Sequence, residues 1–133
     1  MLAVGQEKTG QIDEQSIKAV GAFGGGIASS GGACGILLGA VAMISSIYSR
    51  SSLEEKEDPR MWILSHRFMK KFDELTREYG SISCSDIARV DWRDREAVKK
   101  YYADPEGRRQ ICIRLVGEAA HYLGELLEGE EGK

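Results

Sequence analysis

Cysteine is scarce in this chain: three in 133 residues, with two histidines and two prolines. An odd count excludes a fully paired disulfide scaffold, and no cleavable signal-peptide pattern opens the sequence. Thiols that are free, metal-bound or transiently oxidised in a reducing cytoplasm are therefore expected. No C-x-x-C pair occurs, so separations of 50 and 28 residues can converge only through tertiary folding. The absence of C-x-x-C-H excludes a covalent c-type haem. No Lys-Ser/Thr follows a glycine loop, and Gly24-x-Gly26 lacks the strand and spacing of a dinucleotide fingerprint. Neither charge sign dominates: 18 basic against 21 acidic side chains give a net charge of −3 and a pI near 5.5. That balance leaves no global attraction to nucleic acid or anionic lipid, and neither is expected as a partner. The sixteen glycines follow no three-residue period, which excludes collagen.

Charge is also missing locally. Between Lys18 and Arg50 lie 31 residues without a charged side chain. Eight are glycine, six of them between Gly21 and Gly32, which leaves only Ala33–Ile44 continuously apolar or small. A membrane span needs about 20 apolar residues, so none is expected. The segment instead reads as a Gly-rich loop feeding a buried apolar helix from about Ala33 to Ser49. Within that helix Gly35-x-x-x-Gly39 admits close approach of a second backbone. Its apolar surface exceeds what one small bundle obviously needs, which points to a homodimer.

The rest punctuates as helices. Asp13 caps a short helix through about Phe23. Asp58-Pro59 opens and Gly80 stops a helix whose stripe is Met61, Leu64, Phe68, Phe72, Leu75 and Tyr79. Ser81–Cys84 is an extended crossing before a short turn through Ala88. Asp91 caps the next helix, with Asp94 at its third position, to about Tyr102. Asp104-Pro105 opens the last, whose core face runs through Ile111, Cys112, Leu115, Val116, Ala119, Tyr122, Leu123, Leu126 and Leu127 before a disordered tail at 129–133. Nothing alternates with period two. The fold expected is all-α: one domain, a single helical bundle with a buried Gly-rich loop and a central apolar helix.

Cys34 is the most pointed residue. Just past Gly31-Gly32 it falls at a helix start, where free amides and the dipole lower a thiol pKa and favour a reactive thiolate; position alone fits equally a small apolar filler at a crowded helix start. A reactive thiol there should label quickly below neutral pH. The preceding glycines would let backbone approach an anion, cofactor or second sulfur. Taken alone, Cys84 and Cys112 read as apolar filler. His66 and His121 read as solvated and complete no Cys–His site. From Arg89 to Arg114 eight basic and five acidic residues interleave with Trp92, Tyr101 and Tyr102, which reads as a solvated helix pair.

Phe23-Gly24-Gly25-Gly26-Ile27-Ala28, Gly32-Ala33-Cys34-Gly35-x-x-x-Gly39-Ala40, Gly80-Ser81-Ile82-Ser83-Cys84 and Cys112 before Leu115-Val116 together resemble the bacterial C_GCAxxG_C_C family of redox-active proteins. The resemblance covers nearly the whole chain. It implies that Cys34, Cys84 and Cys112 match the family's second, third and fourth cysteines; the first has no counterpart here. A similar domain occurs in split-Soret cytochromes, beside haem-binding sequence and an iron–sulfur centre. The resemblance implies catalytic Cys34, Cys84 and Cys112 in thiol–disulfide chemistry or redox sensing with an unidentified redox partner, Cys34 attacking and Cys84 or Cys112 resolving. Gly24, Gly25, Gly26, Gly32 and Gly35 would line the centre. The alternative is a zinc or iron–sulfur site on the same three sulfurs, short of a fourth ligand. A non-catalytic dimeric helical module is the third reading.

Overall fold

The computed structural model describes residues 1–131, and within them the chain is all-α. Seven helices follow in order: α1 Leu2–Thr9, α2 Glu14–Ala19, α3 Gly35–Tyr48, α4 Arg60–Thr76, α5 Cys84–Ala88, α6 Arg95–Ala103 and α7 Arg108–Glu131. Short 3-10 turns cover Gly21–Phe23 and Arg77–Tyr79. The only β pairing among the described residues is an isolated antiparallel bridge between Ala33 and Ser83.

The central helix α3 packs on α1, α4 and α7. Leu37, Ala40, Met43 and Ile44 are buried with Leu64, Phe68 and Phe72 of α4 and Leu115, Ala119, Leu123 and Leu127 of α7. No helix among the described residues is long and apolar enough to cross a membrane. The glycine notches of α3 are filled from within the chain. A Cβ at Gly39 would sit 3.0 Å from Met1 Cβ, and one at Gly35 would sit 2.9 Å from the Phe23 carbonyl oxygen. Gly5 of α1 likewise leaves room for the Met43 side chain. The close backbone approach expected of Gly35 and Gly39 is thus made by the chain's own N-terminal segment and loop.

Several boundaries depart from expectation for identifiable reasons. Asp94 rather than Asp91 caps α6, because its carboxylate accepts the Glu96 and Ala97 amides while Asp91 closes a preceding turn on Arg93 N–H. The last helix starts at Arg108, since Asp104 turns its carboxylate onto Glu106 N–H and holds a separate turn at Pro105. Asp13 caps as expected, but α2 stops at Ala19. Val116 is 39% exposed rather than core. Of the tail expected at 129–133, α7 occupies positions through Glu131, and 132–133 lie outside the described residues.

The Gly-rich loop is not buried as a whole. Five consecutive residues, Gly25 to Ser29, take φ between +51° and +74°, a turn of left-handed backbone. Its coil points Ile27, Ala28, Ser29 and Ser30 toward solvent and only Gly26 inward. Bonds from Gly31 N to Gly25 O and from Gly32 N to Gly26 O, each 2.9 Å, close the loop on itself.

Candidate functional site

The bridge at Ala33 and Ser83 is the frame on which two cysteines are mounted. Cys34 N–H donates to the Ile82 carbonyl at 2.9 Å, and Cys84 N–H donates to the Gly32 carbonyl at 2.7 Å. Two short extended segments thereby run antiparallel for a few residues before each turns into a helix. Cys34 is the N-cap residue of α3, and Cys84 is the first residue of α5. Both are buried.

The glycine loop closes over this frame, and its glycines are required by the chain's own atoms. A Cβ at Gly26 would fall 2.5 Å from Gly32 O, 2.6 Å from Gly32 N and 2.7 Å from Cys84 Cβ. A Cβ at Gly25 would meet Ser29 Cα at 2.8 Å and Trp92 Cγ at 3.2 Å. At Gly32 it would crowd the Gly26 carbonyl at 3.0 Å. Gly24, by contrast, has open space at that position. The room created by Gly25, Gly26, Gly32 and Gly35 is thus taken up by packing of the loop on the cysteine frame.

Cys112 comes from α7 and is half-buried. Contacts of α5 with α7 bring that helix to the frame, and Arg108 fastens the junction. Its guanidinium donates to the Ile87 carbonyl at 2.7 and 3.1 Å and to the Asp86 carbonyl at 3.3 Å, satisfying carbonyls at the end of α5. All three thiols are free. They share one electrostatic environment: negative charge on Cys84 and on Cys112 each opposes ionisation of Cys34, and Cys112 opposes that of Cys84. The three thiols, scattered through the sequence, thus lie within electrostatic reach of one another.

Their electrostatics differ from the expectation for a helix start. Burial pushes the Cys34 thiol up to about 11. The Ile36 and Leu37 amides at the start of α3 pull the other way, as a helix N-terminus should, but desolvation is the larger effect. Cys34 is consequently a protonated thiol at neutral pH, not a thiolate. Burial also raises Cys84, and a hydrogen bond from Trp92 opposes it.

Trp92 and Tyr101, which the sequence places in a solvated helix pair, are instead half-buried beside the thiols. Trp92 Nε1–H donates to Cys84 Sγ at 3.1 Å. Burial, and after it the neighbouring Cys112, hold the Tyr101 hydroxyl pKa well above the usual range, so the phenol stays protonated. The two rings meet edge to face with centroids 5.0 Å apart. The available signal was the aromatic cluster between Cys84 and Cys112, masked by the charged residues around it.

His66 and His121 are exposed and remote from this centre; His121 pairs with Glu125 at 3.0 Å along α7. Among the described residues no group of three or more His, Cys, Asp or Glu side chains is arranged to hold a metal ion. The three cysteines are thus not arranged around a single metal ion.

Comparison with known proteins gives one family: a family model described as "Putative redox-active protein (C_GCAxxG_C_C)" matches residues 1–126. No curated protein and no solved structure matches the chain.

Proposed function

We propose, since the chain belongs to the C_GCAxxG_C_C family of redox-active proteins, that its redox centre is the thiol set Cys34, Cys84 and Cys112, working by thiol–disulfide exchange. The observation that carries this reading is the hydrogen bond from the Trp92 indole to Cys84, one of three thiols close enough to influence one another's ionisation. A donor aimed at sulfur stabilises the thiolate, which is both the attacking and the leaving species in exchange.

Burial orders the roles. Cys112 is the most accessible of the three and meets the partner disulfide. Its thiolate attacks one sulfur of that disulfide; the partner's S–S bond breaks, a mixed disulfide forms and the other partner sulfur leaves as a thiolate. Cys84 thiolate then attacks Cys112 in the mixed disulfide. This forms the Cys84–Cys112 disulfide and releases the second partner thiol, so the partner gains two electrons and the chain loses two. Cys34, protonated and deepest, is the reserve thiol rather than the first nucleophile.

The test is a thiol count on native protein before and after mild oxidation, with peptide mapping of the bond formed. Wild type should lose two thiols reversibly, and Cys34→Ser should behave likewise. Cys84→Ser and Cys112→Ser should each abolish the intramolecular bond. Three thiols that stay inert in folded wild-type protein would refute the proposal, and a bond mapped to Cys34 would overturn the ordering of roles.

A further inference from the structure

Trp92 does more than hydrogen-bond a sulfur. While its indole N–H reaches Cys84, the ring also lines a groove of about 490 Å³ with Arg95, Val98, Lys99, Tyr102 and Ala103. The groove floor is apolar, and Tyr102 is 56% exposed there. Its only charged lining residues are Arg95 and Lys99. A third cation joins them at the rim, since the Arg109 guanidinium lies over the Tyr102 ring, 5.4 Å from its centroid.

This face inverts the charge of the protein, whose net charge is −3. No acidic side chain lines the groove; the carboxylates of Asp91, Asp94 and Asp104 are turned onto backbone amides of Arg93, of Glu96 and Ala97, and of Glu106. An apolar floor under a cationic rim is complementary to a segment that presents an apolar side chain flanked by carboxylates.

We infer that the α6 groove beside Trp92 docks the redox partner, and that the partner is a protein whose disulfide lies in an acidic segment with an apolar anchor. The inference rests on the thiol-exchange reading and names its substrate class. It favours a protein over nucleic acid because Trp92, in the groove's wall, is hydrogen-bonded to Cys84 of the proposed thiol set: a protein segment seated beside it can carry a disulfide that exchanges with that set, whereas an oligonucleotide brings no group that reacts with a thiol.

The test uses two synthetic peptides, each with a leucine next to a cysteine held as a mixed disulfide with thionitrobenzoate. One flanks the cysteine with glutamates, the other with glutamines. Release of the coloured thiolate reports the exchange rate, and 2,2′-dithiodipyridine, a small uncharged disulfide, reports thiol reactivity without docking. The glutamate peptide should react roughly tenfold faster than the glutamine peptide at low ionic strength, with the advantage collapsing as salt screens it. Arg95→Glu combined with Lys99→Glu should remove the preference and leave the dithiodipyridine rate unchanged. Equal peptide rates alongside normal dithiodipyridine reactivity would overturn the docking inference while leaving thiol exchange intact. No reaction with any of the three probes would overturn both. A single-stranded oligothymidylate that displaces the glutamate peptide at lower concentration than the peptide's own reduced form would reassign the groove to nucleic acid.

Discussion

Trp92 and Cys84 are joined by a hydrogen bond from the indole nitrogen to the sulfur, 3.1 Å long, eight residues apart in sequence and across the turn between α5 and α6. Through it the aromatic segment acts directly on the thiol centre, and it makes Trp92 a positioning residue whose contribution is separable from its bulk.

Trp92→Phe keeps an aromatic ring in place and removes the N–H. The Cys84 thiol pKa, already raised by burial, should rise further once the opposing bond is gone. Alkylation of Cys84 near pH 8 should slow roughly threefold to tenfold, because less thiolate is present at that pH. Unfolding should be easier by only about 1 kcal/mol, the net worth of one hydrogen bond. Measuring both separates the roles: a purely structural Trp92 would lower stability and leave the pH profile of Cys84 labelling where it was.

Cys34 should behave in the opposite way from a thiol activated by a helix start. With its pKa pushed to about 11, labelling in the native protein should be slow at pH 7–9 and climb only above that range. Linkage has a definite sign here. The folded state holds the proton more tightly than the unfolded chain, whose value is 9.0, so between pH 9 and 11 unfolding releases a proton and stability falls. The gap corresponds to roughly 2–3 kcal/mol, lost progressively across that interval. Cys34→Ala, compared with wild type by denaturant unfolding at pH 8 and pH 11, should show a flatter dependence than wild type.

How much of this was legible in the sequence follows from which forces act locally. The stripe on α4 was readable because Leu64, Phe68 and Phe72 repeat at helical spacing and are buried; the helix itself ends at Thr76, and Gly80, at φ +107°, closes the 3-10 turn that follows it rather than the helix. Cys34 was readable as a helix-start residue, since glycines precede it and an apolar run follows. Its pKa was not, because desolvation depends on burial within the hydrophobic core, and such packing has no local signature. The choice of Asp94 over Asp91 turned on which carboxylate was already engaged, which two equally good caps three residues apart do not reveal. Val116 falls on the apolar register of α7, yet lies 39% exposed. Gln6 is buried through long-range bonds to the Asp13 carbonyl at 3.1 Å and Ser16 Oγ at 2.8 Å, a satisfied polar pair that periodicity cannot anticipate.

The glycines of the loop should differ sharply in tolerance. Gly26→Ala puts a methyl group against fixed backbone at 2.5 Å and against Cys84 Cβ at 2.7 Å, at φ +74°. A loss of about 3–4 kcal/mol, or failure to fold, is expected from strain and overpacking together. Gly24→Ala meets nothing within 4 Å and has φ −59°, so it should lie within about 0.5 kcal/mol of wild type. Thermal unfolding of the two variants checks the contrast. Equal effects would mean the loop does not close on the Cys84 frame as described.

Ile27 tests the strain in the same loop without touching its contacts. A β-branched residue at φ +65° is held in a conformation that disfavours L side chains by roughly 1–2 kcal/mol, and at 47% exposure its side chain recovers only part of that through burial. Glycine relieves the strain but increases the freedom of the unfolded chain, an opposing effect of about 0.5–1 kcal/mol. Ile27→Gly should therefore be neutral to stabilising by up to about 1 kcal/mol, whereas glycine at an ordinary exposed isoleucine would destabilise. The thiol chemistry supplies the second readout. Gly31 and Gly32 bond back to Gly25 and Gly26, and Gly32 O receives Cys84 N–H, so the loop is continuous with the frame under both buried sulfurs. If the left-handed turn holds that frame in position, Ile27→Gly leaves the oxidation behaviour of Cys84 and Cys112 unaltered without lowering the melting temperature. A lowered melting temperature would show instead that Ile27 is held by its side-chain packing, and that the turn is set by residue 27 rather than by the closed ring of glycine hydrogen bonds.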